Sequence, residues 1–216
     1  MPKLVKRVLL LGPQGSGKTT QGDRIAQFLD VEIIVAGNIL REAIRSKSEF
    51  GVKIANTVNG GSMIPDQWMI DLMMQNINKE EYKDGFILDG FPRTITQAKA
   101  LDKHQNAQLD KVFNIEISDE EAVKRLSQRR LCPNGHVYHL IFNLPKKDGI
   151  CDICGGPLAQ RADDEEATVK KRLGIYRHET MKLLDYYDAQ GKLVVFDGAK
   201  NIPLVTDDIL NYLKNV

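Results

Sequence analysis

Three groups of residues have the types and the spacing to do chemistry. The first is Gly12-Pro13-Gln14-Gly15-Ser16-Gly17-Lys18-Thr19, which fits G-x-x-x-x-G-K-[ST]. Its glycines let backbone N–H groups converge on phosphate oxygens. A following helix adds the positive end of its dipole, and Lys18 adds a mobile charge. Thr19 can reach a phosphate or a metal ion. Such a loop marks a nucleoside triphosphate site without choosing between kinase, motor and switch. The second group is Phe86-Ile87-Leu88-Asp89-Gly90-Phe91-Pro92-Arg93, where a carboxylate ends an apolar run. In a parallel sheet Asp89 lies on the same edge as the glycine loop and can order water around Mg²⁺. Phe91-Pro92 is a candidate cis bond. The third is Cys132, His136, Cys151 and Cys154, spaced C-x3-H-x14-C-x2-C. These are four soft or borderline ligands suited to tetrahedral Zn²⁺, with no open position for catalysis.

These groups need a frame to hold them. Arg7 to Leu11, Glu32 to Val35, Phe86 to Leu88, Val112 to Ile117 and Leu193 to Phe196 are short runs rich in Val, Ile, Leu and Phe, the length of buried strands. Helical patterns fall between them: Thr19 to Phe28, Pro65 to Ile77 after a Pro start, and a helix opened by the capping box Ser118-Asp119-Glu120-Glu121. Glu165 to Ala189 reads as one helix of about 37 Å. Gly191 is its stop signal, and its interior Gly174 costs about 1 kcal/mol relative to Ala. Strands alternating with helices imply an α/β fold, a mostly parallel sheet covered on both faces. Residues 36–64, with the turn cluster Asn59-Gly60-Gly61-Ser62, and residues 128–163, with all three cysteines, interrupt the alternation as insertions. The second is poor in large apolar side chains. Units below about 40 residues usually need a staple, and zinc would supply one.

Composition limits the remaining classes. The 216 residues are 42% hydrophobic and 27% charged, the balance of an ordinary globular chain rather than a disordered one. Thirty Lys and Arg against 29 Asp and Glu leave a net charge of +1, which argues against wholesale nucleic-acid coating. No run approaches the roughly 18–20 apolar residues of a membrane helix. The basic start Met1-Pro2-Lys3-Leu4-Val5-Lys6-Arg7 precedes an apolar run too short for a signal peptide. Three clustered cysteines do not suit a secreted disulfide scaffold. A cytoplasmic monomer is expected.

With GPQGSGKTTQ near the start, LDGFPRTITQA at 88–98, RLSQRR at 125–130, QRADDEEATVKKRL at 160–173 and YHLIFNLPK at 138–146, the chain resembles the adenylate kinases and, more widely, the nucleoside monophosphate kinases. The resemblance covers essentially the whole chain. It implies a P-loop core with a parallel five-stranded sheet flanked by helices (1–35, 65–127 and 164–216) and two inserted mobile subdomains. One is a monophosphate-binding insert at 36–64, the other a zinc-bearing lid at 128–163. It implies Mg²⁺-dependent transfer between ATP and AMP, giving two ADP. Gly12, Gln14, Gly15, Ser16, Gly17, Lys18, Thr19 and Thr20 would then hold ATP together with Arg125 and Arg129. Ala36, Arg41, Gly90, Arg93, Gln97, Arg161 and Arg172 would line the AMP site, with Gln97 reading adenine. Lys18, Arg93, Arg129, Arg161 and Arg172 would carry the catalysis and Asp89 the Mg²⁺ shell. Asp163 and Asp164 match the acidic pair at the lid hinge. For the metal, His139 stands second to His136 as fourth ligand.

Physics supports that reading independently. Phosphoryl transfer mostly needs positioning and charge neutralisation, which bidentate Arg forks provide. The acceptor phosphate is largely dianionic at neutral pH, so no general base is needed. Closing both inserts would exclude water as the competing acceptor. The chain departs from the family pattern at Val35-Ala36-Gly37-Asn38, where S-T-G-D is usual, and at Thr19, where glycine is usual. Three alternatives stand beside this reading: a kinase for another monophosphate, a nucleotide-binding regulator without turnover, and a zinc nucleic-acid module. The first is weakened by Gln97, the second by the surplus of arginines and the absence of N-K-x-D, and the third by the near-neutral charge.

Overall fold

The computed structural model describes residues 5–216; the opening residues 1–4 lie outside the described part. Five strands, β1 (Arg7–Leu11), β2 (Glu32–Val35), β3 (Phe86–Asp89), β4 (Lys111–Glu116) and β7 (Leu193–Asp197), form one sheet in the order β2-β3-β1-β4-β7, every pairing parallel. Successive side chains of β1 enter different cores. Leu9 and Leu11 join Phe86 and Leu88 on one face, while Val8 and Leu10 join Ile87 and Phe113 on the other. That is why the strand reads as an unbroken apolar run rather than an alternating one.

Helices cover both faces. α1 (Lys18–Leu29) and α9 (Ile202–Lys214) pack on one, through Ile25, Leu29, Val205 and Ile209. α4 (Asp66–Ile77), α5 (Ile95–Lys103) and α8 (Lys182–Asp188) supply Met73, Leu101 and Tyr187 to the other. The chain passes to one side of β1 for β2 and β3 and to the other for β4 and β7. The strand ends therefore meet at a switch point, where open α/β sheets bind ligands. In the register Leu10 lies opposite Asp89 and Leu11 opposite Asn114.

Between β2 and α4 lie α2 (Ala36–Arg45) and α3 (Glu49–Asn59), packed on each other. Gly51 permits their close approach, since a Cβ there would stand 1.9 Å from the Ala43 carbonyl oxygen. α6 (Asp119–Ser127) begins at Ser118, whose hydroxyl accepts from the Glu121 N–H at 3.2 Å. The Glu121 carboxylate pairs with Arg125 Nε at 2.7 Å instead of turning back, so half of the expected capping box forms. A short antiparallel pair follows, β5 (Arg129–Leu131) and β6 (Val137–His139), beside a small cluster of Cys132, Tyr138, Cys151 and Leu158. Neither strand, nor α5, nor α9 was expected from the sequence.

The long helix expected over 165–189 forms as one rod but is not uniformly α-helical. α7 (Glu166–Ile175) gives way to a π-helical turn at Tyr176–Thr180 before α8. Two side chains hold the wider turn. The Thr180 hydroxyl donates to the Arg93 carbonyl oxygen at 3.1 Å, and the Tyr176 hydroxyl to Asn114 Oδ1 at 3.4 Å. Such turns concentrate at functional sites, and this one reaches the backbone of the acidic-edge segment.

Candidate active site

The loop from Gly12 to Gly17 leaves β1 and enters α1. Gly12 has φ +138, and a Cβ there would lie 2.2 Å from the Ile115 carbonyl oxygen, so only glycine lets the loop cross β4 this closely. The Lys18 ammonium folds back on the loop, donating to the Gly12 and Pro13 carbonyl oxygens at 2.7 Å each. Desolvation there lowers it to about 8; Asp89 opposes this, and Arg93, Arg172 and Arg129 add to it. Ser16 Oγ is buried without a hydrogen-bond partner among the described residues, leaving a hydroxyl donor inside the loop.

Asp89 ends β3 as a buried carboxylate, and the Thr19 hydroxyl donates to its Oδ2 at 2.5 Å. Thr19 thus turns towards the acid. Two oxygen-bearing groups at the loop's mouth suit a hard cation such as Mg²⁺. The Phe91–Pro92 bond is cis, as expected. Gly90 (φ +87) exposes its carbonyl oxygen to Arg93 Nε at 2.8 Å. Gln97 is buried at the start of α5, bonded on both ends: its Oε1 accepts from the Arg93 N–H at 2.7 Å and its Nε2 donates to Asp66 Oδ1 at 2.7 Å.

Arginines from separate elements converge on an acidic pair. Arg129 of β5 grips the fully buried Asp164 with two bonds, 2.7 and 2.5 Å. Arg161 grips Asp163 in the same way, and Arg172 of α7 reaches Asp163 at 3.2 Å and Asp164 at 3.7 Å. Burial opposes ionisation of Asp163, but Arg161, Arg172 and Arg129 together hold its carboxyl below the usual range. Burial and crowding lower Arg41 and Arg172 to about 10, so both stay cationic at neutral pH. Arg93 is lowered too, chiefly by burial. Lys18, Arg41, Arg93, Arg129, Arg161 and Arg172 thus gather around Asp89, Asp163 and Asp164, six cations to three carboxylates, a concentration of positive charge fit for polyphosphate.

All six cations line one cleft of about 1960 Å³, with the loop, α2, β5 and β6 as its walls. A smaller pocket, about 80 Å³, shares Gly37, Arg41, Gly90, Arg93, Arg161 and Arg172 with it and is lined also by Ala36 and Gln97. Asn38 Oδ1 accepts from Arg41 at 2.6 Å, so the amide keeps an acceptor where the family has a carboxylate. Arg125 stands apart from the cluster. It spans Glu121 and the Gly198 carbonyl oxygen (3.0 Å) and lies 5.9 Å over the Phe142 ring, still on the cleft wall. Thr20 is exposed beside the loop. Asp66 and Thr180, which hold Gln97 and the Arg93 backbone, carry no motif signal and were not foreseen.

The ligating atoms of Cys132, His136, Cys151 and Cys154 all lie within 4.8 Å of one another. His136 Nδ1 is 3.3 Å from the sulfurs of Cys132 and Cys151, and those of Cys154 and Cys132 are 3.5 Å apart. Zinc bond lengths imply tetrahedral edges of about 3.5–3.8 Å, so the group fits that ion. His139 is outside it, its Nδ1 accepting from the N–H groups of Ile141 and Phe142.

A family model described as adenylate kinase matches residues 10–192. The chain is 44% identical to the adenylate kinase of Caldicellulosiruptor bescii, with 96% of this chain and 98% of the relative covered. It is 42% identical to those of Thermosipho africanus (96% and 99% covered) and Methanosarcina barkeri (96% and 98%). A phosphate loop, an acidic strand end and a converging arginine set on one parallel-sheet edge thus sit in a chain that belongs to the adenylate kinase family.

Proposed function

We propose that this protein converts ATP and AMP to two ADP with Lys18, Arg93, Arg129, Arg161 and Arg172 as its phosphate clamp. The observation carrying this reading is the gathering of those five groups and Arg41 around one cleft, with three carboxylates between them. Adenylate kinases bind ATP, AMP and ADP and use Mg²⁺ with ATP. The loop from Gly12 to Thr20, with Gln14, Gly15, Ser16 and Gly17, holds the triphosphate, and Arg125 and Arg129 flank it. Ala36, Arg41, Gly90, Arg93, Gln97, Arg161 and Arg172 hold the monophosphate.

Arg129, Arg161 and Arg172 exchange Asp163 and Asp164 for phosphate oxygens as the segment 128–163 closes from one side and 36–64 from the other. An oxygen of the AMP phosphate then bonds to the γ-phosphorus as its bond to the β,γ-bridging oxygen breaks in line. The negative charge passing to ADP is met by guanidinium groups already in place. Asp89, with Thr19 beside it, would hold Mg²⁺, which would supply charge neutralisation to the triphosphate. Cys132, His136, Cys151 and Cys154 would hold Zn²⁺, which gives the closing segment a rigid fold and takes no part in the reaction. Thiolate ligands favour a reducing compartment, supporting a cytoplasmic enzyme. Lys18, Arg93, Arg129, Arg161 and Arg172 gather around one cleft within a single chain, so a monomer would hold the whole clamp.

The test is ADP formation from Mg²⁺-ATP with AMP, GMP, UMP or CMP offered separately. AMP should be strongly preferred, and Lys18→Ala and Arg93→Ala should each lower turnover by at least about a hundredfold, the scale of losing one transition-state contact. Wild-type turnover retained in both variants would refute the clamp. Preference for another monophosphate would refute the AMP assignment.

A further inference from the structure

The geometry points to Asp66 as a specificity-determining positioning residue: it locks the polarity of the Gln97 side-chain amide and so selects a 6-aminopurine over a 6-oxopurine monophosphate. The inference rests on the reading that Gln97 faces the base of the monophosphate.

A glutamine amide can present either end to a ligand, and its assignment must come from the groups it meets. Here both partners have fixed polarity. The Arg93 backbone N–H can only donate, and it meets Oε1 at 2.7 Å. The Asp66 carboxylate oxygen accepts, and it meets Nε2 at 2.7 Å. Turning the amide over would set donor against donor and acceptor against acceptor. Asp66 is itself anchored, because the Thr94 hydroxyl donates to its other oxygen at 2.9 Å. Thr94 in turn caps α5 by accepting from the Gln97 N–H at 3.2 Å. The ring of contacts therefore ties α4, the Thr94 cap and Gln97 together.

Each end of the amide has spare capacity: one lone pair on Oε1 and one proton on Nε2. Gln97 lines the smaller pocket together with Ala36 and Gly90. That remaining pair matches adenine, whose 6-amino group donates and whose N1 accepts. Hypoxanthine and guanine carry the reverse order, O6 accepting and N1–H donating. They would need the inverted amide, which Asp66 and Arg93 forbid. Sites built on such pairing reject mismatched analogues far better than apolar pockets do.

The experiment compares kcat/KM for AMP and for IMP, which differ at this edge, in the wild type and in Asp66→Ala, Asp66→Leu, Asp66→Asn and Gln97→Ala. Leucine keeps the volume should alanine prove unstable, and thermal melts check the folding of each. Asp66→Ala and Asp66→Leu should lower the AMP:IMP ratio roughly ten- to hundredfold, the scale of one hydrogen bond to a charged group. The loss should appear mainly in the KM for AMP, with the KM for ATP unmoved. Asp66→Asn should stay within about threefold of wild type, because its carbonyl oxygen still accepts from Gln97 while its NH₂ donates to the Thr94 hydroxyl oxygen. A purely structural Asp66 would instead lower the melting temperature and the turnover of both substrates alike, and an unmoved AMP:IMP ratio overturns the proposal. If Gln97→Ala loses discrimination while Asp66→Ala and Asp66→Leu keep it, positioning by Asp66 is wrong and the base-reading role of Gln97 stands. If Gln97→Ala also changes nothing, the monophosphate assignment itself fails.

Discussion

The same substitution, glycine to alanine, should have opposite effects at two helical positions. At Gly51 in α3 an added Cβ would meet the Ala43 carbonyl oxygen at 1.9 Å, its carbon at 2.3 Å and the Ile44 nitrogen at 2.8 Å. All three are backbone atoms of α2, so no side chain can rotate away. Real Cβ atoms essentially never come closer than 3.0 Å, so α3 must move off α2 by about 1.1 Å, an overpacking strain of about 1–3 kcal/mol. Alanine recovers about 0.5–1 kcal/mol through its better helix propensity. The net loss, about 1 kcal/mol at mid-range and up to about 2.5 kcal/mol, corresponds to about 2–4 °C and up to about 10 °C in melting temperature for a chain of this size. At Gly174 in α7 nothing lies within 4 Å of the added Cβ and the backbone is ordinary helix. Gly174→Ala should gain about 0.4–1 kcal/mol, or about 1–4 °C. Thermal unfolding measures both shifts. Because α2 carries Gly37 and Arg41, Gly51→Ala should also raise the KM for AMP and leave that for ATP alone. A Gly51→Ala protein as stable as the wild type, with an unchanged KM for AMP, would refute the argument from packing.

Three further outcomes follow from the site. Elemental analysis should give one zinc per chain, lost in His136→Ala and retained in His139→Ala; the reverse pattern would assign the fourth ligand wrongly. Asp164→Ala removes the buried partner of Arg129 and should cost about 3–5 kcal/mol, about 6–20 °C by thermal melt; a shift under about 1 °C would show that the pair contributes little. Because the Lys18 ammonium is lowered to about 8, kcat/KM for ATP should fall as pH rises through about 8, since the free enzyme loses its loop cation. The turnover number should hold to higher pH, where bound phosphate keeps the proton on. Stability has the opposite sign: between about 8 and the ordinary lysine value the unfolded chain binds more protons, so this group favours folding as pH rises. A kcat/KM for ATP flat to about pH 9.5 would exclude a lowered Lys18.

The central strands β1, β3 and β4 were readable because each is buried on both faces and therefore appears as a short unbroken apolar run, as Val8 to Leu11 does, and the edge strands β2 and β7 because they are dense in Ile, Val and Leu. The glycine loop and the cysteine group were readable because ligand geometry fixes their spacing. α5 escaped notice because its cap is Thr94 and its buried face only Gln97, Ala98 and Leu101. β5 and β6 are three residues each, too short for periodicity to register. The break at Tyr176 depends on where Asn114 and Arg93 stand, which no local window contains. Asp66 is invisible for the same reason: next to Pro65 it reads as an ordinary residue at a helix start, and its meaning comes from Gln97, thirty-one positions away.

The π-helical turn at Tyr176–Thr180 also sets a rotational phase. Each residue of an α-helix advances about 100°, and a turn that takes in one extra residue retards everything after it by about that angle. Before the turn, Val169 and Leu173 face α6 with Ala122 and Leu126; after it, Leu183 and Tyr187 face the main core with Leu101 and Ala107. A single rod thus serves two apolar surfaces that a uniform helix would not address together. Chain length across this turn matters more than side-chain identity there. Deleting one residue while the turn keeps its width would bring Leu184 and Asp188 to the positions now held by Leu183 and Tyr187, setting a carboxylate in the main core.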